Sequence, residues 1–328
     1  MCILNEKQNA LEIMRFGKPE AVVTCWPEYC IHYHGVNHEG YEGGGHDLPV
    51  GSVWTDIWQT EWHKEHPDVM GFPRGNPLAE TSALKQYQWP HPDDERICGK
   101  IYDLHAKFPG GDVFLAGSHR DTLWEKAYMI VGMERMMEYF YTEPEYAKEV
   151  LHRIMDFQLG IARHYLALGV ELVNAGDDLG TQKSLILSPG IIEEFIVPEY
   201  RRLFDLYRSK GVIINFHSCG HIEPMLETFI GLGINILNPL QVTANDLAAV
   251  RSKTQGRMAL MGGVSTHTLM EGPVDRIAQE TREAILLLGR HGGYFCAPDQ
   301  YMPWPREHYE AYRRALDRYG KYPLVAEN

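Results

Sequence analysis

Residues 212–220 read Val212-Ile213-Ile214-Asn215-Phe216-His217-Ser218-Cys219-Gly220, a short apolar run that ends in polar residues and a glycine. Such a β-branched run is typical of a buried strand, and the glycine frees the backbone to turn into the next helix. Similar runs recur from about residue 110 onward, separated by longer amphipathic segments. Strands that alternate with helices indicate a parallel sheet.

The strands predicted from these runs are 22–26, 113–117, 170–175, 212–217, 234–238, 258–262 and 294–297, and the predicted helices are 124–140, 145–168, 189–210, 222–230, 274–288 and 306–319. Seven strands in one register favour a closed barrel, with an eighth strand in the irregular N-terminal third. The alternative is a doubly wound sheet, but no Gly-x-Gly-x-x-Gly motif follows the first strand. We therefore predict an α/β fold: a single (β/α)8 barrel domain of TIM type over residues 1–328, in which the aromatic-rich residues 1–110 form an irregular extension over the barrel mouth.

The composition argues against several classes of protein. Asp and Glu number 44 against 31 Lys and Arg, and the formal net charge of −13 argues against binding to nucleic acid. The apolar runs are too short to span a membrane, and the N-terminus lacks the apolar core of a secretory signal, so we expect a cytoplasmic protein. Six cysteines in such a chain indicate thiols or metal ligands. Cys2, Cys25, Cys30 and Cys98 show no ligand spacing and are predicted to be free thiols.

The motif at the end of the strand at 212–217 predicts a metal site. Residues two apart in extended chain point the same way, so His217 and Cys219 can face a common point. Cys296 lies at the end of another predicted strand, and barrel enzymes place their chemistry at these ends. One imidazole and two thiolates suit zinc, and three protein ligands leave a fourth position open, as in catalytic zinc sites. The alternative is that all three are ordinary core residues.

The charge of such a site restricts its chemistry. Two thiolates cancel the +2 charge of zinc, which leaves a modest Lewis acid that favours alkyl transfer over hydrolysis. Asp177 and Asp178 also end a predicted strand, and one of them could orient the substrate, contact His217 or fill the fourth position; a helix N-cap is the alternative. Glu28 and His221 are weaker candidates for the fourth ligand.

The N-terminal third is rich in aromatic residues and histidine. Trp54, Trp58 and Trp62 recur every four residues, which predicts a helical stripe used for packing. The alternative is an aromatic lid over the barrel mouth, suited to a flat substrate. The six histidines between residues 32 and 66 form no convincing second metal pattern; they are His32, His34, His38, His46, His63 and His66.

The second half of the chain carries a set of short motifs at or near the predicted strand ends: Asp177-Asp178-Leu179-Gly180, His217-Ser218-Cys219-Gly220, Asn238-Pro239-Leu240-Gln241, Gly262-Gly263-Val264-Ser265-Thr266 and Gly292-Gly293-Tyr294. These motifs resemble those of the uroporphyrinogen decarboxylase superfamily, and more narrowly its branch of cobalamin-dependent methyltransferases. In the N-terminal part, Asp56-Ile57-Trp58 and Gly71-Phe72-Pro73 resemble members linked to O-demethylation of phenyl methyl ethers. The resemblance implies a (β/α)8 barrel, zinc bound by His217, Cys219 and Cys296, and methyl transfer involving the cobalt of a separate corrinoid protein.

The expected function is therefore zinc-dependent transfer of a methyl group from a small methoxylated, aromatic donor to a corrinoid protein. Asp178 and Glu28 are the catalytic candidates, and Asn238, Gln241 and Gly263 are the candidates for binding the cobalamin cofactor. One alternative is transfer from methylcobalamin to a thiol. Two others are a uroporphyrinogen-decarboxylase-like lyase that acts without metal and a non-catalytic corrinoid-binding protein. The lyase would need an Arg-rich N-terminal segment, which the stretch Met14-Arg15-Phe16-Gly17-Lys18 does not match.

Overall fold

The computed structural model describes residues 4–45 and 47–325, so Cys2 and His46 lie outside the described residues. Within these ranges the strands are β1 Glu28–Ile31, β2 Val53–Thr55, β3 Glu61–His63, β4 Phe72–Gly75, β5 Phe114–His119, β6 Leu172–Gly176, β7 Ile213–His217, β8 Ile236–Leu240, β9 Ala259–Val264 and β10 Tyr294–Pro298. The helices are α1 Glu6–Met14, α2 Glu95–His105, α3 Trp124–Val131, α4 Met133–Thr142, α5 Pro144–Ala167, α6 Pro189–Ile191, α7 Val197–Arg208, α8 Leu226–Leu232, α9 Leu247–Thr254, α10 Thr266–Glu271, α11 Val274–Leu288 and α12 Arg306–Tyr319. A π-helical turn, Ile192–Ile196, joins α6 to α7, and 3₁₀ turns occupy Thr81–Lys85 and Glu223–Met225.

The main sheet has seven strands in the order β1-β5-β6-β7-β8-β9-β10, and every neighbouring pair is parallel. Chain order is kept across the sheet, with helices between successive strands from β5 onward, as the alternating pattern predicted. The extended segment between α1 and β1 joins the two edges. Its Val23 carbonyl accepts a hydrogen bond from the Cys296 amide at 2.9 Å, and its Trp26 ring lies edge-on to Phe295. The sheet is therefore curled, and in the described residues it has seven parallel strands rather than the predicted eight.

The predicted strand at 22–26 is wrong, because β1 begins only at Glu28. The other six predicted strands match the observed ones to within two residues at either end. The predicted helix at 124–140 is broken into α3 and α4 at Gly132, whose φ of 98° is outside the helical region. None of the helices in the described ranges is both long and apolar enough to cross a bilayer.

The curled sheet has an apolar interior and an apolar outer face. Alternate strand residues point inward and pack with the buried side of α1; they are Phe114, Ala116, Leu172, Ile236, Ala259 and Phe295. Helix α1 lies below the N-terminal ends of the strands, where the Lys7 ammonium donates to the Val113 carbonyl and the Gly293 amide donates to the Ile13 carbonyl. The bottom of the barrel is thus filled, and open space is left at the C-terminal ends of the strands.

The tryptophan-rich segment forms an antiparallel sheet of β2, β3 and β4 rather than a helix. Trp54 lies directly opposite Trp62 in the β2–β3 pair, and the two rings stack with centroids 6.2 Å apart. The Asp56 carboxylate closes the hairpin by accepting hydrogen bonds from the Trp58 and Thr60 amides and the Trp62 indole. The predicted helical stripe is therefore wrong, because its four-residue spacing spans two strands and their turn.

Candidate active site

A cavity of about 620 Å³ lies at the C-terminal ends of β5 to β8. From the main sheet it is lined by Ser118, Asn174, Asn215, His217 and Asn238, and from the loops that follow by Arg120, Asp121 and Asp178. Its opposite wall comes from the N-terminal segment and α3, through Trp62, Met70, Pro73, Glu125, Tyr128 and Met129. The N-terminal segment is thus one wall of a pocket whose floor carries polar side chains.

Asp178, His217 and Cys219 form a compact group at the edge of this cavity, which Asp178 and His217 line. One potential ligand atom from each residue lies within 4.8 Å of the other two. The His217 Nε2 atom is 3.3 Å from the Cys219 Sγ atom and 3.6 Å from the Asp178 Oδ1 atom. The loops after β6 and β7 are joined by a 2.9 Å hydrogen bond from the Cys219 amide to the Asp178 carboxylate. The structure thus brings together the predicted His217–Cys219 pair and adds Asp178 to it.

The His217 ring presents one nitrogen to this group and anchors the other. Its Nδ1 atom is 3.0 Å from the Asn238 Oδ1 atom, so Nδ1 carries the proton and donates it to the amide oxygen. The Nε2 lone pair is then free to bind a metal ion. Because 46% of the His217 side chain is exposed, an ion bound there would be accessible from the cavity.

The donor set suits a zinc ion. Burial, followed by the nearby Asp178 charge, raises the pKa of the Cys219 thiol to about 12, so the thiol stays protonated at neutral pH without a cation. A zinc ion stabilises a thiolate and removes that proton. Nitrogen, sulfur and carboxylate oxygen are the three ligand types that zinc binds in proteins, and they are provided here by three residues that leave one side open.

Cys296 is not part of this group, which corrects the predicted third ligand. Strand residues alternate between faces, and Phe295 occupies the inward position of β10. Cys296 therefore points outward, where it is fully buried in the layer between the sheet and its helices, together with Tyr294 and Leu260. Burial raises the pKa of this thiol to about 12, as expected for a core cysteine.

Gln300 occupies the position beside Cys219 that Cys296 was predicted to fill. The Gln300 side-chain amide donates a hydrogen bond to the Cys219 Sγ atom at 2.9 Å. Its backbone is fixed by Thr266, whose hydroxyl donates to the Gln300 carbonyl and accepts from the Gln300 amide. No sequence pattern indicates Gln300, because an amide in a loop two residues beyond a strand is not typical of a metal site.

Several other predicted site residues support the fold around the cavity. The buried Asp177 carboxylate caps α3, where it accepts from the Leu123 and Glu125 amides at 2.8 Å and from the Tyr200 hydroxyl at 2.6 Å. Asp177 thus caps the N-terminus of a helix, which is the alternative role considered for it. The His221 Nδ1 atom lies 2.7 Å from the Ala244 carbonyl, which leaves it outside the group of three.

The three predicted cofactor-binding residues have different positions. Asn238 lines the cavity and holds His217. The buried Gln241 accepts a 2.5 Å hydrogen bond from the Gly220 amide and so fixes the turn after Cys219. Gly263 is buried with no open space beside it, because an added Cβ would lie 2.9 Å from the Tyr294 hydroxyl. In the described parts of the chain, neither Gln241 nor Gly263 lines this cavity, and their contact with the cofactor stays a prediction.

Two further acidic residues, Asp121 and Glu125, line the cavity beside Asp178. Burial, with the Asp121 and Asp177 charges, raises the pKa of Glu125 to about 9, so this carboxyl is protonated at neutral pH. Burial also raises the pKa of Asp121. Neither residue was predicted, because Asp121 lies two and Glu125 six residues beyond β5 and only the tertiary fold brings them to Asp178.

The described histidines of the N-terminal third form no group of three close metal-ligand atoms. The His38 ring stacks on Trp62 at 4.1 Å and lies 3.2 Å from the Asp121 carboxylate. In residues 4–45 and 47–325, the only group of three close ligands is that of Asp178, His217 and Cys219. Trp62 packs against His38 and Trp54 and also lines the cavity. It therefore has both roles considered for the tryptophans, in packing and over the barrel mouth.

Comparison with known proteins places this site in a family context. The family model described as uroporphyrinogen decarboxylase (URO-D) matches residues 76–308, well over half of the chain. A curated relative, the methylated-thiol–coenzyme M methyltransferase of Methanosarcina mazei, is 26% identical over 249 residues, which cover 69% of this chain and 59% of the relative. The match thus spans less than two thirds of that protein. A solved structure, a methyltransferase from Methanosarcina mazei, has the same fold, with a TM-score of 0.71 at 18% identity over 96% of this chain and 99% of that one.

Proposed function

The chain belongs to the uroporphyrinogen decarboxylase family, and from its site we propose that it is a zinc-dependent methyltransferase. In this proposal Asp178, His217 and Cys219 hold the metal, and a small methylated donor binds in the adjoining cavity. The methyl group passes from the donor to the cobalt of a corrinoid carried by a partner protein. The donor we propose is a methoxylated aromatic compound. The observation that carries the proposal is the group of three ligands, open on one side to a cavity of suitable size.

The charge of the ligand set supports transfer of a methyl group over hydrolysis. With Asp178 rather than Cys296 as the third ligand, the site still has two negative ligands. The Cys219 thiolate and the Asp178 carboxylate together cancel the +2 charge of zinc, which favours alkyl transfer as two thiolates would. When bound, zinc would supply positive charge to stabilise the oxygen or sulfur atom that loses or gains the methyl group. The hydrogen bond from the Cys219 backbone amide to the Asp178 carboxylate orients both residues without the metal.

The walls of the cavity support an aromatic ether as the donor. Trp62, Tyr128 and Met129 provide flat or flexible apolar surfaces that suit an aromatic ring. Glu125 is protonated at neutral pH and can donate a hydrogen bond to an oxygen atom in the cavity. Packing of the ring would orient the methyl group, and the acid would stabilise the departing phenolate.

A methylated thiol is the second candidate, and it is favoured by the name of the Methanosarcina mazei relative. A thiol-like sulfur is also a good ligand for zinc. A tetrapyrrole is less well supported, because its carboxylates require several cationic residues. Among the described residues that line the cavity, Arg120 is the only Arg or Lys.

The choice of donor can be tested with a cobalamin spectrum. Zinc-loaded protein is mixed with cob(I)alamin and either methoxybenzene or dimethyl sulfide, and formation of methylcobalamin is followed by absorbance. The proposal predicts methylcobalamin with methoxybenzene, and loss of the reaction in Cys219→Ser. Reaction with the sulfide alone would establish the second candidate, and no reaction of zinc-loaded protein with either donor would contradict methyl transfer.

A further inference from the structure

A chain of hydrogen bonds runs from the metal-binding group to a carboxylate on the far side of the barrel. His217 contacts Asn238 at 3.0 Å, Asn238 donates to Asn215 at 2.7 Å, and Asn215 donates to Asn174 at 2.8 Å. Asn174 then donates to both oxygens of Glu28 at 3.2 and 3.3 Å. We call these three asparagines the amide ladder.

The register of the sheet places the ladder side by side on neighbouring strands. Asn174 of β6 is the Cα partner of Asn215 of β7, and His217 of β7 is the partner of Asn238 of β8. All three amides line the cavity, above the apolar interior. Burial of an asparagine side chain at an inward position costs free energy unless its amide is hydrogen-bonded. Here each of the three amides is hydrogen-bonded on both sides.

The ladder has one direction. Each asparagine donates its amide N–H toward Glu28 and offers its carbonyl oxygen toward His217. An ionised carboxylate can only accept hydrogen bonds, and Glu28 also accepts from the Trp26 indole at 2.8 Å, a group that can only donate. The acceptor at the Glu28 end therefore favours this orientation of all three amides, and the Phe216 carbonyl, which accepts from the Asn238 side chain at 3.4 Å, supports it at the His217 end.

We propose that Glu28 is a positioning residue that sets the tautomer of His217 through the amide ladder. Because the ladder presents the Asn238 oxygen to the ring, Nδ1 must carry the proton and Nε2 keeps its lone pair for the metal. If the three amides were reversed, Asn238 would donate to Nδ1, and the proton would move to Nε2, where it would block the ion. This proposal rests on the proposed function only because it assigns the Nε2 lone pair to the metal. It gives Glu28 a positioning role in place of the predicted catalytic or ligand role.

The substitution Glu28→Gln tests this role, because glutamine offers both a donor and an acceptor. Either ladder direction is then possible, so we expect His217 to populate both tautomers. The tautomer is measured in metal-free protein by long-range ¹H–¹⁵N correlation, with the signals assigned by comparison with His217→Gln. Zinc affinity should fall about tenfold, the range seen when a partner of a metal-bound histidine is changed. Glu134→Gln, on the exposed side of α4, is the matched control and should change neither value.

A second variant separates positioning from a purely structural role. In Glu28→Gln/Asn174→Asp, the new carboxylate can only accept from Asn215, so it should restore the ladder direction, the Nδ1–H tautomer and the zinc affinity. An unchanged tautomer in Glu28→Gln, or no rescue by the double variant, would overturn the proposal. If wild-type protein binds no zinc but the tautomer follows these substitutions, the proposed function fails and the role of Glu28 stands.

Discussion

One cysteine follows β7 and another lies within β10, but only the first belongs to the site. Cys219 lies two residues beyond the last residue of β7, where the chain has left the strand and its side chain can face His217. Cys296 lies inside β10, at a position that faces the outer layer of helices. The comparison shows that a metal-binding residue near a strand end is informative only when its face is known.

The two cysteines also differ in their electrostatic surroundings. Burial and then the Asp178 charge raise the pKa of Cys219, whereas for Cys296 burial is the only influence that raises it. The end of β7 therefore gathers carboxyl groups that attract a cation, and the interior of β10 does not. Substitutions at and around Cys219 test this difference.

The largest effect is expected from Cys219→Ser, which removes the thiolate from the proposed metal site. Methyl transfer to cob(I)alamin should fall at least about a hundredfold, because both the metal and its charge are lost. The control is Cys296→Ser, which should retain most of the activity if it folds. Equal losses in the two variants, with both proteins folded, would remove the distinction between the two strand ends.

An intermediate effect is expected from Glu125→Gln on stability in metal-free protein. The pKa of Glu125 is about 9 in the folded protein and about 4.3 in the unfolded chain, so the folded state holds an extra proton between these values. The free energy of unfolding of the wild type should therefore fall as the pH rises through this window, by up to about 1.4 kcal/mol per pH unit. Glu125→Gln should flatten this dependence in urea titrations at pH 5 and pH 8. Parallel curves for variant and wild type would show that the carboxyl is ionised at neutral pH.

The smallest effect is expected from Gln300→Ala, which removes one hydrogen bond from the Cys219 sulfur. A hydrogen bond to a charged group contributes about 1.5–3 kcal/mol, and water can replace part of this in an open site. Zinc affinity should therefore fall severalfold, measured by competition with a chelator. Complete loss of zinc would instead make Gln300 a ligand in its own right.

Much of the fold could be predicted from the sequence, because strands buried on both faces appear as short apolar runs. Six of the seven strands of the main sheet follow this rule. The first does not. The apolar run at 22–26 is extended chain that accepts a backbone hydrogen bond from the Cys296 amide of β10, and β1 begins with the polar Glu28. The β2–β3 hairpin was missed because its Trp54 and Trp62 share a spacing that also fits a helix.

The site was less predictable, since it depends on contacts between distant segments. His217 and Cys219 are neighbours in sequence, and their shared direction follows from local geometry. The face of Cys296 depends on the register of β10, where a shift of one residue reverses inside and outside. Gln300 and Asp121 enter the site through loops, whose course no local pattern determines. Glu125 enters it from the first turn of α3.

The central claim is that the metal is held at the end of β7 without Cys296. The most direct test is elemental analysis of zinc in wild type, Cys219→Ser and Cys296→Ser, each loaded with zinc, freed of excess metal and checked for folding by circular dichroism. We predict about one zinc per chain in wild type and Cys296→Ser, as for a single catalytic site, and at least tenfold less in Cys219→Ser. Loss of zinc from folded Cys296→Ser, or full retention in Cys219→Ser, would contradict this account.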